Sequence, residues 1–225
     1  MLFDILRDPD SFSMSYLIVS LLSALAVIFL TMPIHEFAHA YAATKLGDPT
    51  PKYKGRLSVN PFSHIDYFGA LCIILFGFGW AKPVEVNPRN FDNPKTGMAI
   101  TAFAGPASNL MLAFVSVFVS APIERIAYSL QSEFIWYISL FFYYIAVINV
   151  SLAVFNLIPV PPLDGSRLLG VILPDRIYFK IMRYERYLYY AVILLIITGV
   201  LDRPLSYLNS AIMYLINYIP NLIFF

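Results

Sequence analysis

Residues 11–34 read SFSMSYLIVSLLSALAVIFLTMPI, and this run contains no Asp, Glu, Lys or Arg. A helix needs about 20 mostly apolar residues to cross the hydrocarbon core of a bilayer. The other long uncharged runs are 96–123, 134–163 and 204–225, and two shorter ones lie at 67–81 and 187–201. The chain is therefore predicted to be an integral membrane protein that crosses the bilayer several times.

The composition excludes the other broad classes of protein. Of the 225 residues, 59% are hydrophobic and 13% are charged, and the mean hydropathy is +0.70. Soluble domains are about 45–50% apolar and about 25% charged, so a soluble enzyme and a disordered chain are both ruled out. The single cysteine, Cys72, rules out an intrachain disulfide and a cysteine metal cage. A net charge of +1 with scattered bases excludes a nucleic acid as partner.

The basic residues predict the orientation in the membrane. Three stretches, 45–56, 82–95 and 167–186, hold 12 of the 15 Lys and Arg residues. Cytoplasmic loops carry an excess of these residues, so all three stretches are predicted to lie in the cytoplasm. Since 45–56 and 82–95 then lie on the same side, the segment 64–80 between them is predicted to re-enter the membrane or lie on its surface.

The remaining apolar segments alternate in direction across the bilayer. The predicted spans are 14–45, 96–122, 133–158, 187–201 and 205–224. They predict an all-α membrane protein, a polytopic helix bundle of about five to six spans. Residues 52–60 and 84–87 partly alternate and are flanked by prolines, which suit strand ends because they cannot donate to a ladder. These two stretches predict a small membrane-associated β element.

The sequence His35-Glu36-Phe37-Ala38-His39 lies near the inner end of the first predicted span. Residues i and i+4 share a helix face, so both imidazoles can reach one metal ion. Glu36 is about 100° away around the helix and can contact a water on that metal without being a ligand. The alternative is that these polar residues are simply solvated at a helix end. His35 precedes Lys45 by ten residues, about 15 Å of helical rise, which argues against that alternative.

A catalytic zinc site normally has three protein ligands, so one more is needed. Asp164 is the preferred candidate, because the prolines of Asn156-Leu-Ile-Pro-Val-Pro-Pro-Leu-Asp-Gly165 prevent a regular helix there. Irregular backbone at membrane depth is tolerated where it lines a cavity. The alternatives are a surface turn around Asp-Gly for Asp164, and His64 as the third ligand. Otherwise His64, with Asp66, caps or anchors the segment that follows it.

The sequence Ala104-Gly-Pro-Ala-Ser-Asn109 is the third polar feature within a predicted span. Gly-Pro in a helix permits a kink and the close approach of a neighbouring helix. Asn109 then directs an amide into the bundle, where it serves either in catalysis or in an interhelical hydrogen bond. All three features lie in the predicted cytoplasmic half, which favours one shared site.

Together, H-E-x-x-H, G-P-x-x-N and N-x-x-P-x-P-P-L-D-G resemble the motifs of the site-2 protease family, intramembrane zinc metalloproteases that cut membrane-spanning segments. The resemblance covers most of residues 30–170, including 79–84, which resemble the membrane-associated sheet of bacterial and archaeal members. Unlike larger members, the chain is expected to have no PDZ insertion and no nucleotide-sensing tail. The residue roles implied by the resemblance are zinc ligation by His35, His39 and Asp164, acid/base catalysis by Glu36, transition-state stabilisation by Asn109, and substrate positioning or local structure for Asn156.

The resemblance implies a single membrane metalloprotease domain over 1–225, with a catalytic core at 14–170 and a C-terminal helix pair at 184–225. Its expected partners are a transmembrane protein substrate and the lipid bilayer, and its expected location is the plasma membrane of a prokaryote. Three alternatives stay open: a metal transporter, a catalytically silent membrane scaffold, and a membrane protease that cuts soluble substrates. A transporter is expected to show inverted repeats, and none is visible in the sequence.

Overall fold

The computed structural model describes residues 14–76 and 81–224, and this part of the chain is mainly helical. The helices are α1 (Met14–Lys45), α2 (Thr50–Tyr53), α3 (Tyr67–Phe76), α4 (Pro94–Leu130), α5 (Glu133–Asn156), α6 (Gly165–Ile172), α7 (Asp175–Arg183), α8 (Glu185–Ile197) and α9 (Asp202–Phe224). Single 3-10 turns are formed by Pro61–Ser63 and Pro88–Asn90. The prediction of a helical architecture is confirmed.

Three helices are long and apolar enough to cross a membrane, namely α1 with 32 residues, α4 with 37 and α5 with 24. They correspond to the predicted spans 14–45, 96–122 and 133–158. Helix α8 has 13 residues, about 20 Å of rise, which is short for a hydrocarbon core of about 30 Å. The total of five to six spans therefore stays a prediction.

Helix α3 occupies part of the segment that is predicted not to cross the bilayer. It contains 10 residues and is about 15 Å long, half the thickness of the hydrocarbon core. Residues 77–80 of the same segment, including Gly79 and Trp80 of the motif at 79–84, lie outside the described residues. The re-entrant or surface placement of 64–80 stays a prediction.

The predicted β element is not formed by the described residues. Thr50–Tyr53 is a helical turn with proline in its first positions, because proline already has the φ of a helix. The Asp48 carboxylate accepts a hydrogen bond from the backbone N–H of Thr50 at 3.0 Å, which fixes this turn. Residues 84–87 are irregular. Of the prolines that suggested strand ends, Pro51, Pro61 and Pro88 lie at the starts of turns at Thr50–Tyr53, Pro61–Ser63 and Pro88–Asn90, and Pro83 lies in irregular backbone.

Helix α1 contains one π-helical turn, Val27–Thr31, directly before the segment that carries both histidines. Pro33 lacks a backbone N–H and its ring crowds the preceding turn. A single wide turn is one way for a helix to accommodate such a break. The helix continues through Pro33 and carries His35 and His39 into the bundle.

Two apolar clusters hold the bundle together. Helices α1, α3 and α5 meet through Ala24, Val27, Ile28, Met32, Ile73, Ile145, Ile148 and Leu152. Helices α4, α5 and α9 meet through Ala113, Val117, Ala146, Val150, Val154 and Met213. Small and hydroxyl side chains allow α4 and α5 to approach closely, and the hydroxyls of Ser120 and Ser139 lie 3.0 Å apart between them. Large apolar side chains such as Leu30, Met111 and Phe134 face outward, as expected for a surface in contact with lipid.

Candidate functional site

Three potential metal ligands converge inside the bundle. The Nε2 atoms of His35 and His39 lie 3.0 Å apart. The Asp164 Oδ2 atom lies 3.5 Å from the first and 3.3 Å from the second. A tetrahedral Zn²⁺ with bonds of about 2.0–2.1 Å separates its ligand atoms by about 3.3 Å. The donor set and its spacing therefore fit a zinc ion.

The hydrogen bonding of His39 prepares its ring for a metal. Its Nδ1 lies 2.7 Å from the carbonyl oxygen of Thr101 on α4. A carbonyl can only accept, so Nδ1 carries the proton and donates it, and Nε2 keeps a free lone pair. Metal-binding histidines commonly use a backbone carbonyl in this way to fix the tautomer and the ring orientation. Sequence reasoning missed Thr101, since its contribution is made by the backbone.

Asp164 occupies the position directly before α6, at the end of the proline-rich segment. Gly165 lies directly against the backbone of Leu157, where a Cβ would overlap the carbonyl oxygen. The lack of a side chain at Gly165 therefore lets the chain turn tightly there. Asp164 is therefore aimed at the two imidazoles rather than standing in an isolated surface turn. Burial alone would raise the pKa of the Asp164 carboxyl, but the adjacent imidazoles of His39 and His35, when protonated, lower this pKa below its usual range. The carboxylate form is the form that binds a cation.

The structure places His64 outside this cluster. The ring is 1% exposed, and its Nε2 lies 2.7 Å from the carbonyl oxygen of Ser58. The Asp66 carboxylate accepts hydrogen bonds from the N–H groups of Phe68 and Gly69 at the start of α3. The predicted alternative of a capping and anchoring role fits His64 and Asp66.

Helix α4 contributes three features along one face. Thr101, Gly105 and Asn109 follow one another at i, i+4 and i+8, so they lie above one another. A Cβ at Gly105 would lie 2.6 Å from Cε1 of His35 and would also overlap the ring of His39. The Gly-Pro pair was predicted to allow a neighbouring helix to approach closely. In the structure the two imidazoles of α1 approach α4 at Gly105. Asn109 is 1% exposed, and its Oδ1 has no hydrogen-bond partner among the described residues.

A cavity of about 740 Å³ opens at this centre, and all six residues predicted for the site line it: His35, Glu36, His39, Asn109, Asn156 and Asp164. Its remaining lining is mainly apolar. One wall is the segment 81–86, through Ala81, Pro83, Val84 and Val86, and another is α8, through Tyr189, Val192 and Ile193.

Arg167 is a second residue that the sequence interpretation missed. It lines the cavity one turn after Asp164 on α6, and its guanidinium lies 3.8 Å from the Glu185 carboxylate at the start of α8. Residues three apart in a helix lie on the same face. The position of Arg167 three residues after Asp164 could therefore have identified it as a neighbour of the site.

Comparisons with known proteins identify a family and two relatives of this chain. Residues 119–199 match the sequence model of the family described as Peptidase family M50. The chain is 38% identical over 185 residues to the Bacillus subtilis protein named "Putative zinc metalloprotease YwhC", covering 82% of this chain and 81% of the relative. It is 26% identical over 179 residues to the Mycolicibacterium smegmatis protein named "Putative zinc metalloprotease Rip2", covering 77% of this chain and 66% of the relative. No solved structure shows significant similarity.

Proposed function

Because this chain belongs to peptidase family M50, we propose that it hydrolyses peptide bonds in or near the membrane-spanning segments of other membrane proteins. The chain is a zinc metalloprotease. The observation that carries the finer proposal is the convergence of His35, His39 and Asp164 at a cavity within a bundle of apolar helices. We expect a substrate to reach this cavity from the membrane or from its surface.

His35, His39 and Asp164 would hold the zinc ion. When bound, zinc supplies a Lewis acid that lowers the pKa of water and polarises the scissile carbonyl. The Thr101 carbonyl keeps the His39 ring in the tautomer that leaves Nε2 free. The packing of Gly105 against both rings leaves them little room to rotate.

Glu36 is the general base of the proposed mechanism. It adjoins His35 on α1 and lines the same cavity, and its carboxylate is not part of the ligand cluster. Glu36 accepts a proton from the attacking water and later gives that proton to the leaving amine nitrogen. The Asn109 amide donates a hydrogen bond to the carbonyl oxygen of the scissile bond as negative charge develops there.

A substrate helix must unwind before its carbonyl can be attacked, since helical carbonyls are already hydrogen-bonded. The segment 81–86 borders the cavity and is itself irregular. We assign it the role of holding the unwound substrate by backbone hydrogen bonds in the manner of an added strand. Asn156, at the end of α5 and in the cavity wall, either positions the substrate or supports the proline-rich segment.

The proposal also assigns a cellular location to the protein. The chain is a multi-pass protein of a prokaryotic plasma membrane, with the active site toward the cytoplasmic half. The support for this orientation is the excess of basic residues in 45–56, 82–95 and 167–186. Residues 1–225 then form one membrane domain, with the catalytic core at 14–170 and the helix pair at 184–225.

A matched pair of substrates tests the proposed function. The purified protein is reconstituted in lipid vesicles with a single-span peptide, or with a soluble peptide of the same scissile sequence. We expect zinc-dependent cleavage of the single-span peptide and little cleavage of the soluble one. Preference for the soluble peptide would favour a surface protease. Bound zinc without cleavage of either would favour a silent scaffold, and zinc flux without cleavage would favour a transporter.

Replacing Asn109 by alanine is expected to lower kcat about 10²- to 10³-fold, the usual cost of one lost oxyanion donor. The zinc content is expected to stay at the wild-type level, because Asn109 is not part of the ligand cluster. Asn149→Ala is the matched control, since Asn149 is also a buried asparagine and its amide donates to the Ile145 carbonyl at 2.9 Å. Equal losses in both variants would mean that Asn109 acts only by interhelical packing.

Replacing Gly105 by alanine is expected to weaken zinc binding about 10- to 100-fold, the range found when the surroundings of metal ligands are disturbed. The added methyl group would overlap the His39 ring and displace both imidazoles. Zinc affinity is measured by competition with a chelator. Gly170→Ala is the control, because its Cβ would meet only the Tyr178 ring, at 3.3 Å. Wild-type affinity in Gly105→Ala would contradict the packing argument.

A further inference from the structure

Asp48 is a buried carboxylate outside the metal cluster. It lies three residues after α1 and is 0% exposed. Its oxygens accept four hydrogen bonds: from Thr50 N at 3.0 Å, Thr50 Oγ1 at 2.6 Å, Asn87 N at 2.7 Å and Asn90 Nδ2 at 2.6 Å. A buried carboxylate is tolerated when its oxygens are satisfied in this way. Burial would raise the pKa of Asp48, but these hydrogen bonds lower it below its usual value.

Two of these bonds connect distant parts of the chain. Asn87 directly follows the segment 81–86, which lines the cavity, and Asn90 ends the turn that comes next. Asp48 itself is attached to the end of α1, because its backbone N–H donates to the Ala43 carbonyl at 2.9 Å. Gly47, with φ of +103°, lets the chain pass close to the Asn90 carbonyl, which would lie 3.2 Å from a Cβ at that position.

Among the described residues, the other hydrogen bonds and ion pairs of this segment lie nearer its start or in solvent. The N–H of Lys82 donates to the His64 carbonyl at 2.8 Å. The Glu85 carboxylate lies 3.3 Å from the Lys54 ammonium, and both side chains are more than half exposed. An exposed ion pair of this kind contributes little. The Asp48 carboxylate therefore provides the buried hydrogen bonds that hold the C-terminal end of the segment 81–86.

We propose that Asp48 is a positioning residue that holds the segment 81–86 in place for the substrate. The inference rests on the proposed function, in which 81–86 holds the unwound substrate. Helix α1 carries His35, Glu36 and His39, so the Asp48 carboxylate fixes the substrate-binding wall relative to the catalytic helix. No contact between Asp48 and the substrate is involved.

The donor groups around Asp48 require a carboxylate. An asparagine at this position has one acceptor oxygen and an amide that can only donate. The Thr50 N–H donates to Oδ1 of Asp48 and the Asn87 N–H donates to Oδ2, so in either orientation the amide would face at least one backbone N–H donor. Asp48→Asn therefore keeps the size of the side chain and removes half of its acceptor capacity.

The test measures kcat, KM and zinc content for Asp48→Asn with a single-span peptide substrate in vesicles. We expect KM to rise about tenfold or more, because small displacements of a positioning group are costly. The zinc content and kcat should stay near wild type. The double variant Asp48→Asn/Asn90→Asp exchanges the two side chains and restores a donor–acceptor pair between them. We expect its KM to return part of the way to the wild-type value. Ser132→Ala, at the cap of α5, is the control.

The outcomes separate this inference from the proposed function. An unchanged KM in Asp48→Asn, with an active wild type, would overturn the inference alone. Loss of zinc together with activity would also overturn it, since Asp48 would then support the metal-binding helix. A wild type that cleaves no membrane-spanning substrate would overturn the proposed function, and the inference would fall with it.

Discussion

Replacing Glu36 by glutamine is expected to lower kcat about 10⁴-fold, the upper end of the range for loss of a general acid–base group. Glutamine has nearly the same shape but cannot take a proton from the attacking water. The zinc content should not change, because the ligand cluster consists of His35, His39 and Asp164. Cleavage of a single-span peptide in vesicles measures the rate, and elemental analysis of the same sample measures the zinc.

Two further variants define the role of Glu36. Glu36→Asp keeps a carboxylate but withdraws it by one methylene group, so we expect a smaller loss than in Glu36→Gln. Glu133→Gln removes a carboxyl group at the start of α5, outside the residues that line the cavity, and should leave the rate unchanged. A Glu36→Gln protein that binds zinc and cleaves at the wild-type rate would show that the proposed mechanism is wrong.

The three helices that are long and apolar enough to cross a membrane were predictable because the bilayer imposes a strong local rule. A span must be long, apolar and helical, so the uncharged runs at 11–34, 96–123 and 134–163 were sufficient to find α1, α4 and α5. The resemblance to the site-2 protease family is confirmed by membership of peptidase family M50.

The positions of the predicted site residues followed from similar local rules. Helical spacing alone places His35 and His39 on one face. The prolines before Asp164 predict irregular backbone around it. These rules do not give the distance between α1 and the proline-rich segment, which depends on how α1, α4 and α5 pack.

The structure forms turns and irregular backbone where the β element was predicted, because side-chain contacts and not the alternation decide those residues. The alternation in 52–60 and 84–87 is short. The turn at Thr50–Tyr53 is fixed by a contact from Asp48 two residues before Thr50, whereas the stretch after residue 86 is held by the same carboxylate from a distant part of the chain. Asp48 binds Thr50, Asn87 and Asn90 at once. A sequence pattern of four to nine residues contains no information about such a contact, so strand and loop are not distinguished by it.

The roles of Thr101 and Gly105 were hidden for a different reason. Thr101 acts through its carbonyl, a group that every residue has. Gly105 acts by the absence of a side chain next to two imidazoles. Both become visible only when α4 is packed against α1, although their i, i+4 spacing to each other and to Asn109 is readable from the sequence.

Replacing Asp164 by alanine is expected to weaken zinc binding by more than about 100-fold, since even changes outside the ligand set cost about 10- to 100-fold. Two imidazoles alone leave the ion without the charge of the carboxylate and with one ligand fewer than catalytic zinc sites normally have. Activity should fall in parallel with zinc content and recover in part when excess zinc is added. Glu36→Gln should show no such recovery, because its zinc site is intact.

The matched control is His64→Gln, which tests the alternative ligand set. Glutamine can keep a hydrogen bond to the Ser58 carbonyl, the contact that His64 Nε2 makes at 2.7 Å. We expect this variant to bind zinc as the wild type does, because the ring is held away from the cluster. Loss of zinc in His64→Gln with retention in Asp164→Ala would assign the third ligand to His64. The opposite result would leave His35, His39 and Asp164 as the ligand set, with Glu36 beside them free to transfer the proton.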